Sequence, residues 1–193
     1  IMGLSVGFVC LSLSLLWVRY EMTYDTFHKG ADRIYLGGTN IHELEDGFSY
    51  YSTNELFNYL LKECPEIETV CRIHPVRNEN QKVKYGDIEF QMPQIEVDSN
   101  FVTMFDITVL SGNTPLHLNK DQIAITDKAA KRIFGKESPI GKQLVFTQNG
   151  NEEKTIVAVV KSWEGHSLFP FDILLPYCEE EYARLYTLFR VYP

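Results

Sequence analysis

Residues 1–18 carry no charged side chain, and the chain turns abruptly polar at Arg19. As a helix this run would extend roughly 27 Å, close to the hydrocarbon thickness of a bilayer. The pattern therefore predicts a membrane-spanning helix over residues 1–19. Trp17, Tyr20 and Tyr24 fall at its end, where amphipathic rings favour the headgroup zone. A cleaved signal peptide fits less well, because no basic stretch precedes the run and no small-x-small cleavage site follows it. The chain opens inside the run without an initiator Met, so it reads as a fragment lacking the basic residues that fix topology. Gly3 and Gly7 form a Gly-x-x-x-Gly pair of the kind that lets membrane helices approach, although Gly is common in such helices anyway. Cys10 reads as a small apolar residue, not a lipid anchor.

Residues 19–29 contain neither Gly nor Pro, so the helix is expected to continue through His28 as a juxtamembrane stalk over 20–35. A helix free of Gly and Pro bends little and could act as a lever. Glu21, Asp25 and His28 would share one face of it. That face reads as solvated stalk surface. A metal site is the sharper alternative, weakened by the want of further ligands.

Beyond the stalk the periodicity alternates between strand and helix. Residues 34–41 read as a strand and 43–47 as an acidic turn. Ser52 and Glu55 match a capping box, and Leu56, Phe57, Leu60, Leu61 and Cys64 form the apolar stripe of the helix it opens. Pro65 ends that helix, and 67–76 read as the next strand. Residues 82–90 and 94–97 predict a hairpin around Gly86-Asp87 or Pro93. A short amphipathic turn over 100–105 precedes a strand at 107–110, a loop at 111–115 and a strand at 122–125. Thr126 is placed to cap a helix, with Asp127 near its positive end and Gly135 closing it. Ala129, Ala130, Ile133 and Phe134 make its buried face. Lys128, Lys131, Arg132 and Lys136 make the outer one, which reads as a solvated side sooner than as a site for anionic lipid or ligand. Strands at 144–147 and 155–160 flank the polar loop 148–153, a hairpin signal. A strand at 169–176, a short acidic helix from 179–181 and a strand at 186–192 follow. The fold class is α+β.

Composition narrows the function. Eighteen basic against 26 acidic residues give a formal charge of −8, which argues against nucleic acid as a partner. Cys64 and Cys71 could bridge in an oxidising compartment, but free buried thiols are the preferred reading. No phosphate loop and no Gly-x-Ser-x-Gly elbow occur, and the five His are scattered. His166 and Ser167 are adjacent, whereas catalytic dyads converge from distant segments. No catalytic, cofactor-binding or metal-binding residue is assigned, and the chain is expected not to be an enzyme.

Several short motifs, in order, resemble one family. Met22-Thr-Tyr-Asp-Thr-Phe-His28 followed by Ala31-Asp-Arg-Ile-Tyr35 is similar to the segment outside the first membrane helix of MacB/FtsX-type ABC transporter permeases. Phe101 and Phe105 with Leu110 and Gly112 resemble the family's F-x-x-x-F … L-x-G element. Ala130 to Gly135, followed by Pro139-Ile-Gly-Lys142, resembles its A-x-x-x-F-G … P-I-G-K element. Residues 156–160 through 171–175 resemble the strand pair that follows. The chain departs from the family at Gly165-His166-Ser167, where Asn-Ser-His is frequent, and no role is assigned to that loop.

The resemblance implies a periplasmic core between the first two of four membrane helices. It would be a porter-like β-α-β layer, residues 36–93, with an inserted small α/β subdomain, 94–160, and a return to the porter layer, 161–193. It implies a location at the inner membrane with the domain in the periplasm. The partners implied are a cytoplasmic ATP-binding subunit, a second permease subunit, membrane lipid, and a periplasmic or outer-membrane protein. The cargo would be a peptide, a lipoprotein or a drug. The alternative is an extracytoplasmic ligand-sensing domain of a receptor, and a membrane-anchored enzyme ranks last for want of a catalytic constellation.

Overall fold

A computed structural model describes residues 2–40, 47–76, 82–147, 150–178 and 185–193, with backbone alone for Met2 and Leu4. The acidic turn at 43–47, except Gly47, and the acidic helix at 179–181 lie outside the described residues. Helix α1, Met2–Glu21, contains the apolar run. Its large side chains, Phe8, Leu11, Leu13 and Leu16 among them, are exposed, and nothing lies within 4 Å of where a Cβ on Gly3 or Gly7 would stand.

One expectation for this region is not supported and another is corrected. Among the described residues no helix is long and apolar enough to cross a membrane. The helix also does not continue to His28. It stops at Glu21, and residues 22–27 form successive turns in which Asp25 takes φ 55°. Glu21, Asp25 and His28 therefore do not share a helix face.

A three-residue 3₁₀ turn, Ala31–Arg33, leads into β1, Ile34–Leu36. The small hairpin β2, Thr39–Asn40, with β3, Phe48–Ser49, comes next. Helix α2, Asn54–Glu63, is followed by β4, Ile67–Pro75. Ser52 does not cap α2. Its hydroxyl meets Thr187 Oγ1 at 2.7 Å, and Thr53 stands at the N-cap position. Strands β5, Lys82–Tyr85, and β6, Ile88–Gln91, form a hairpin about Gly86, while β7, Gln94–Val97, lies elsewhere in the sheet. Helix α3, Phe101–Met104, precedes β8, Val109–Gly112, and β9, Gln122–Thr126. Helix α4, Asp127–Phe134, opens as its sequence predicts: Thr126 Oγ1 accepts from Ala129 N at 3.1 Å, and Gly135 closes it at φ 64°. Strands β10, Gln143–Phe146, β11, Glu152–Val160, β12, Ile173–Pro176, and β13, Tyr186–Val191, complete the described elements.

Eleven strands join into one mixed sheet, ordered β1-β13-β4-β7-β12-β9-β11-β10-β5-β6, with β8 also on β11. Strand β12 bridges its two halves, parallel to β7 and antiparallel to β9. The boundary expected at 93/94 falls between β6, at one edge of this sheet, and β7, near its middle.

Period-two alternation sends neighbouring residues to opposite faces. Ala124, Leu174 and Val160 join Ile73, Ile95, Phe101 and Met104 in one core. Ile123, Ile125, Ile173 and Val159 join Leu144, Ile156 and Phe134 in the other. Helix α3 thus closes one face and α4 the other. All four cysteines are free, including Cys64 and the buried Cys71, whose thiol is pushed well up by burial.

Candidate functional site

The loop between β11 and β12 meets the turns that follow α1, and this junction is the candidate site. His166 stacks on Tyr20 with ring centroids 4.2 Å apart and packs edge-on to Tyr24 at 4.5 Å. Its Nε2 lies 2.9 Å from the Tyr20 carbonyl oxygen and 3.0 Å from Thr23 Oγ1. A carbonyl only accepts, and the Thr23 hydroxyl donates to that same oxygen at 2.9 Å. Nε2 must therefore carry the hydrogen toward both.

Asp25 fastens the other side. Its Oδ2 accepts from Leu168 N at 3.0 Å, and its own N–H donates to the His166 carbonyl at 3.2 Å. The left-handed backbone at Asp25 turns the side chain back toward the loop, a conformation that Asp tolerates better than most residues. Burial pushes its carboxyl pKa up, but His28, the Ser167 hydroxyl and Leu168 N–H together outweigh this and hold it below its ordinary value. The clasp is therefore anionic at neutral pH.

Two further contacts carry the junction into the core. Phe27 lies over Gly165, where a Cβ would come within 2.3 Å of the ring, so this loop position requires glycine for close approach. Trp163 is the hub. It sits 5.8 Å from Phe27, 4.5 Å from His28, 5.8 Å from Phe105 and 4.8 Å from Phe171, ring to ring. His28 is buried, 4.8 Å from the Phe105 ring and 3.4 Å from Asp25 Oδ1, an ion-pair distance. Nearby, Asp127 at the start of α4 holds Ser162 through its backbone N–H at 2.8 Å and its hydroxyl. Lys128 Nζ donates to the Trp163 carbonyl at 3.4 Å.

The sequence singled out most of these residues without joining them. Asp25 and His28 come together, but with the 163–168 loop and not with Glu21. His166 and Ser167 hold this junction and have no nucleophile–base pairing among the described hydrogen bonds. Among the described residues, no group of three or more His, Cys, Asp or Glu could hold a metal ion. On the outer face of α4, Arg132 reaches over the Phe90 ring, and Lys131 and Lys136 are exposed. The hub Trp163 was missed, because a lone Trp in a loop carries no periodic signal.

Likeness to known proteins agrees with the fold. A domain of a protein described as a permease from Porphyromonas gingivalis superposes with a TM-score of 0.71 at 17% identity, covering 86% of this chain and 78% of that one. The periplasmic region of MacB from Actinobacillus actinomycetemcomitans gives 0.62 at 14% identity, covering 84% and 75%. The extracellular domain of the noncanonic ABC-type transporter YknZ from Gram-positive bacteria gives 0.56 at 17%, covering 73% of each. No curated protein matches the sequence. The sequence model of the MacB-like periplasmic core domain matches residues 1–191, and with it the chain belongs to that family.

Proposed function

We propose that this domain is the part of an ABC transporter permease that receives motion from the membrane and passes it to the periplasmic side. In this reading a separate cytoplasmic subunit hydrolyses ATP, the permease pairs with a second permease subunit, and this chain is not itself an enzyme. Its cargo is a peptide, a lipoprotein or a drug, delivered directly or through a periplasmic or outer-membrane partner. The observation that carries the reading is the clasp at the end of α1. Tyr20, Thr23, Asp25 and Phe27 are all fastened to the 163–168 loop, and Trp163 continues the contact into the core. The lever is thus a riveted turn, not a continuous helix.

The test uses the full permease with its ATPase, reconstituted in bilayers, and follows hydrogen exchange of residues 161–173 with and without ATP. Gly165→Val drives Phe27 out of its seat, and inserting Gly-Gly between Thr23 and Tyr24 loosens the clasp. Each variant is expected to keep its ATPase activity and its folded sheet while the ATP-dependent change in exchange disappears. An unchanged response in both variants rejects coupling through this junction.

We further propose that the apolar surface of α1 is covered by the inner membrane, with the domain on the periplasmic side. An isolated helix exposing Val6, Phe8, Leu16 and Val18 around its whole circumference needs an apolar environment. Single-cysteine variants read this out with a membrane-impermeant maleimide. Cys178 is expected to label in intact spheroplasts, whereas Cys10 labels only after detergent is added. Equal labelling of both thiols without detergent places α1 in water.

A further inference from the structure

A cavity of about 640 Å³ lies between the turns at 24–32, strand β1 and the 163–169 loop. That volume is in the range that holds drug-sized ligands, roughly 300–1,000 Å³. Ile34, Leu36, Leu168, Phe169 and Leu188 supply an apolar wall. The ionisable groups in its lining are Asp25, Asp32, His28 and two tyrosines, with no Lys or Arg among them. The adjacent Arg33 is engaged elsewhere, donating to the Val191 carbonyl at 3.1 Å and to Glu68 at 3.4 Å.

His28 is the informative member. Its side chain is 4% exposed, yet Nε2 is buried without a hydrogen-bond partner. Buried polar atoms are nearly always satisfied, so an orphan on a cavity wall points to a ligand. The carboxylate oxygen Asp25 Oδ1 stands 3.4 Å from it. An ammonium suits this wall: one of its N–H bonds can reach the Asp25 carboxylate while another meets the unpartnered imidazole nitrogen. The rings of Trp163, Phe105 and Tyr24 around the same space favour a cation further.

We propose that this cavity binds an amphiphile bearing a protonated amine, with the ammonium over the Asp25–His28 pair on the cavity side and its apolar body against β1. The amine belongs either to a dissolved small molecule or to an ethanolamine lipid headgroup, since the cavity opens beside the turns in which α1 ends. This site stands independently of the coupling role, because binding is read on the chain without its ATPase.

The experiment places the 193-residue chain in phosphatidylglycerol nanodiscs. It carries Trp17→Phe, so that Trp163 is the single remaining tryptophan. Fluorescence is titrated with 2-phenylethylamine, with neutral 2-phenylethanol and with anionic 3-phenylpropionate. The amine is expected to give a saturable change, the alcohol to bind at least tenfold more weakly, and the carboxylate to give none. Asp25→Asn and the rim variant Asp32→Asn are each expected to weaken the amine several-fold, Asp32→Asn at unchanged thermal stability. Partition of the amine into the bilayer would affect all variants alike. Equal binding of amine and alcohol, or of amine to the parent and to both Asn variants, overturns the proposal. Adding phosphatidylethanolamine to the nanodiscs then separates the sources. Competition identifies the lipid headgroup, lack of it identifies a dissolved amine, and both leave the protonated amine as the ligand.

Discussion

Gly112→Ala is expected to lower the melting temperature by about 10 °C or to prevent folding. Gly112 ends β8 at φ 101°, a region that L side chains rarely enter. A Cβ there would lie 2.1 Å from the Val157 carbonyl oxygen and 2.7 Å from Ala158 Cα. Both atoms are backbone of β11, a strand packed on both sides between β9 and β10, so neither can swing away as a side-chain tip would. Backbone strain alone costs about 1–3 kcal/mol. With the forced strand displacement, the total reaches about 3–5 kcal/mol, at the upper end for a point substitution. At about 2–4 °C per kcal/mol for a domain of this size, the shift follows. Gly141→Ala is the control. Gly141 has φ 82° but nothing within 4 Å of its missing Cβ, so only strain of about 1 kcal/mol is expected. Calorimetry of the two variants decides the matter, and equal shifts would show that the β8–β11 approach is not tight.

Asp98→Ala should destabilise the domain by about 3–5 kcal/mol, the range for breaking a buried ion pair from one side. Arg72 in β4 and Asp98 after β7 are 14% and 16% exposed. Asp98 Oδ2 accepts from both the backbone N–H and Nε of Arg72, at 2.8 and 3.0 Å, and Oδ1 accepts from Nη2 at 2.9 Å. The guanidinium also lies 4.0 Å from the Phe57 ring centroid and 4.3 Å from that of Tyr177, and donates to Asn54 at 3.1 Å. Removing the carboxylate leaves a charge sandwiched between two rings and a backbone donor without its acceptor. Arg72→Leu combined with Asp98→Leu should recover more than half of the loss, because the double variant leaves no charge behind. Urea denaturation midpoints measure both. A loss under about 1 kcal/mol for Asp98→Ala would mean that water reaches the pair and takes over the carboxylate's role.

These two positions differ in how far the sequence exposes them. Gly112 sits in a loop-like Ser-Gly-Asn-Thr-Pro stretch and read as part of a turn, yet it closes a strand against β11. The capping logic at Thr126 and Gly135 held because both ends of α4 are decided within a few residues. The same logic failed at Ser52, whose hydroxyl is taken by Thr187, 135 residues away. A local hydrogen bond to a helix end lost to one across the sheet.

The stalk failed for a related reason. Nothing local forbids a helix through His28, and its composition favours one. The carboxylate of Asp25 instead meets an amide 143 residues distant, and the backbone adopts a left-handed turn to let it.

By itself the sequence determined the α+β class, most strand positions, the opening and close of α4 and the apolar character of α1. Each of these follows from periodicity or end chemistry within about ten residues. Only the tertiary structure decided that β12 joins two halves into one sheet, that alternate residues of β9 and β12 feed two separate cores, and that α1 ends in a clasp around His166 and Asp25. Those features depend on which distant segments meet, and contacts between residues from 48 to 143 positions apart leave no spacing in the chain to read.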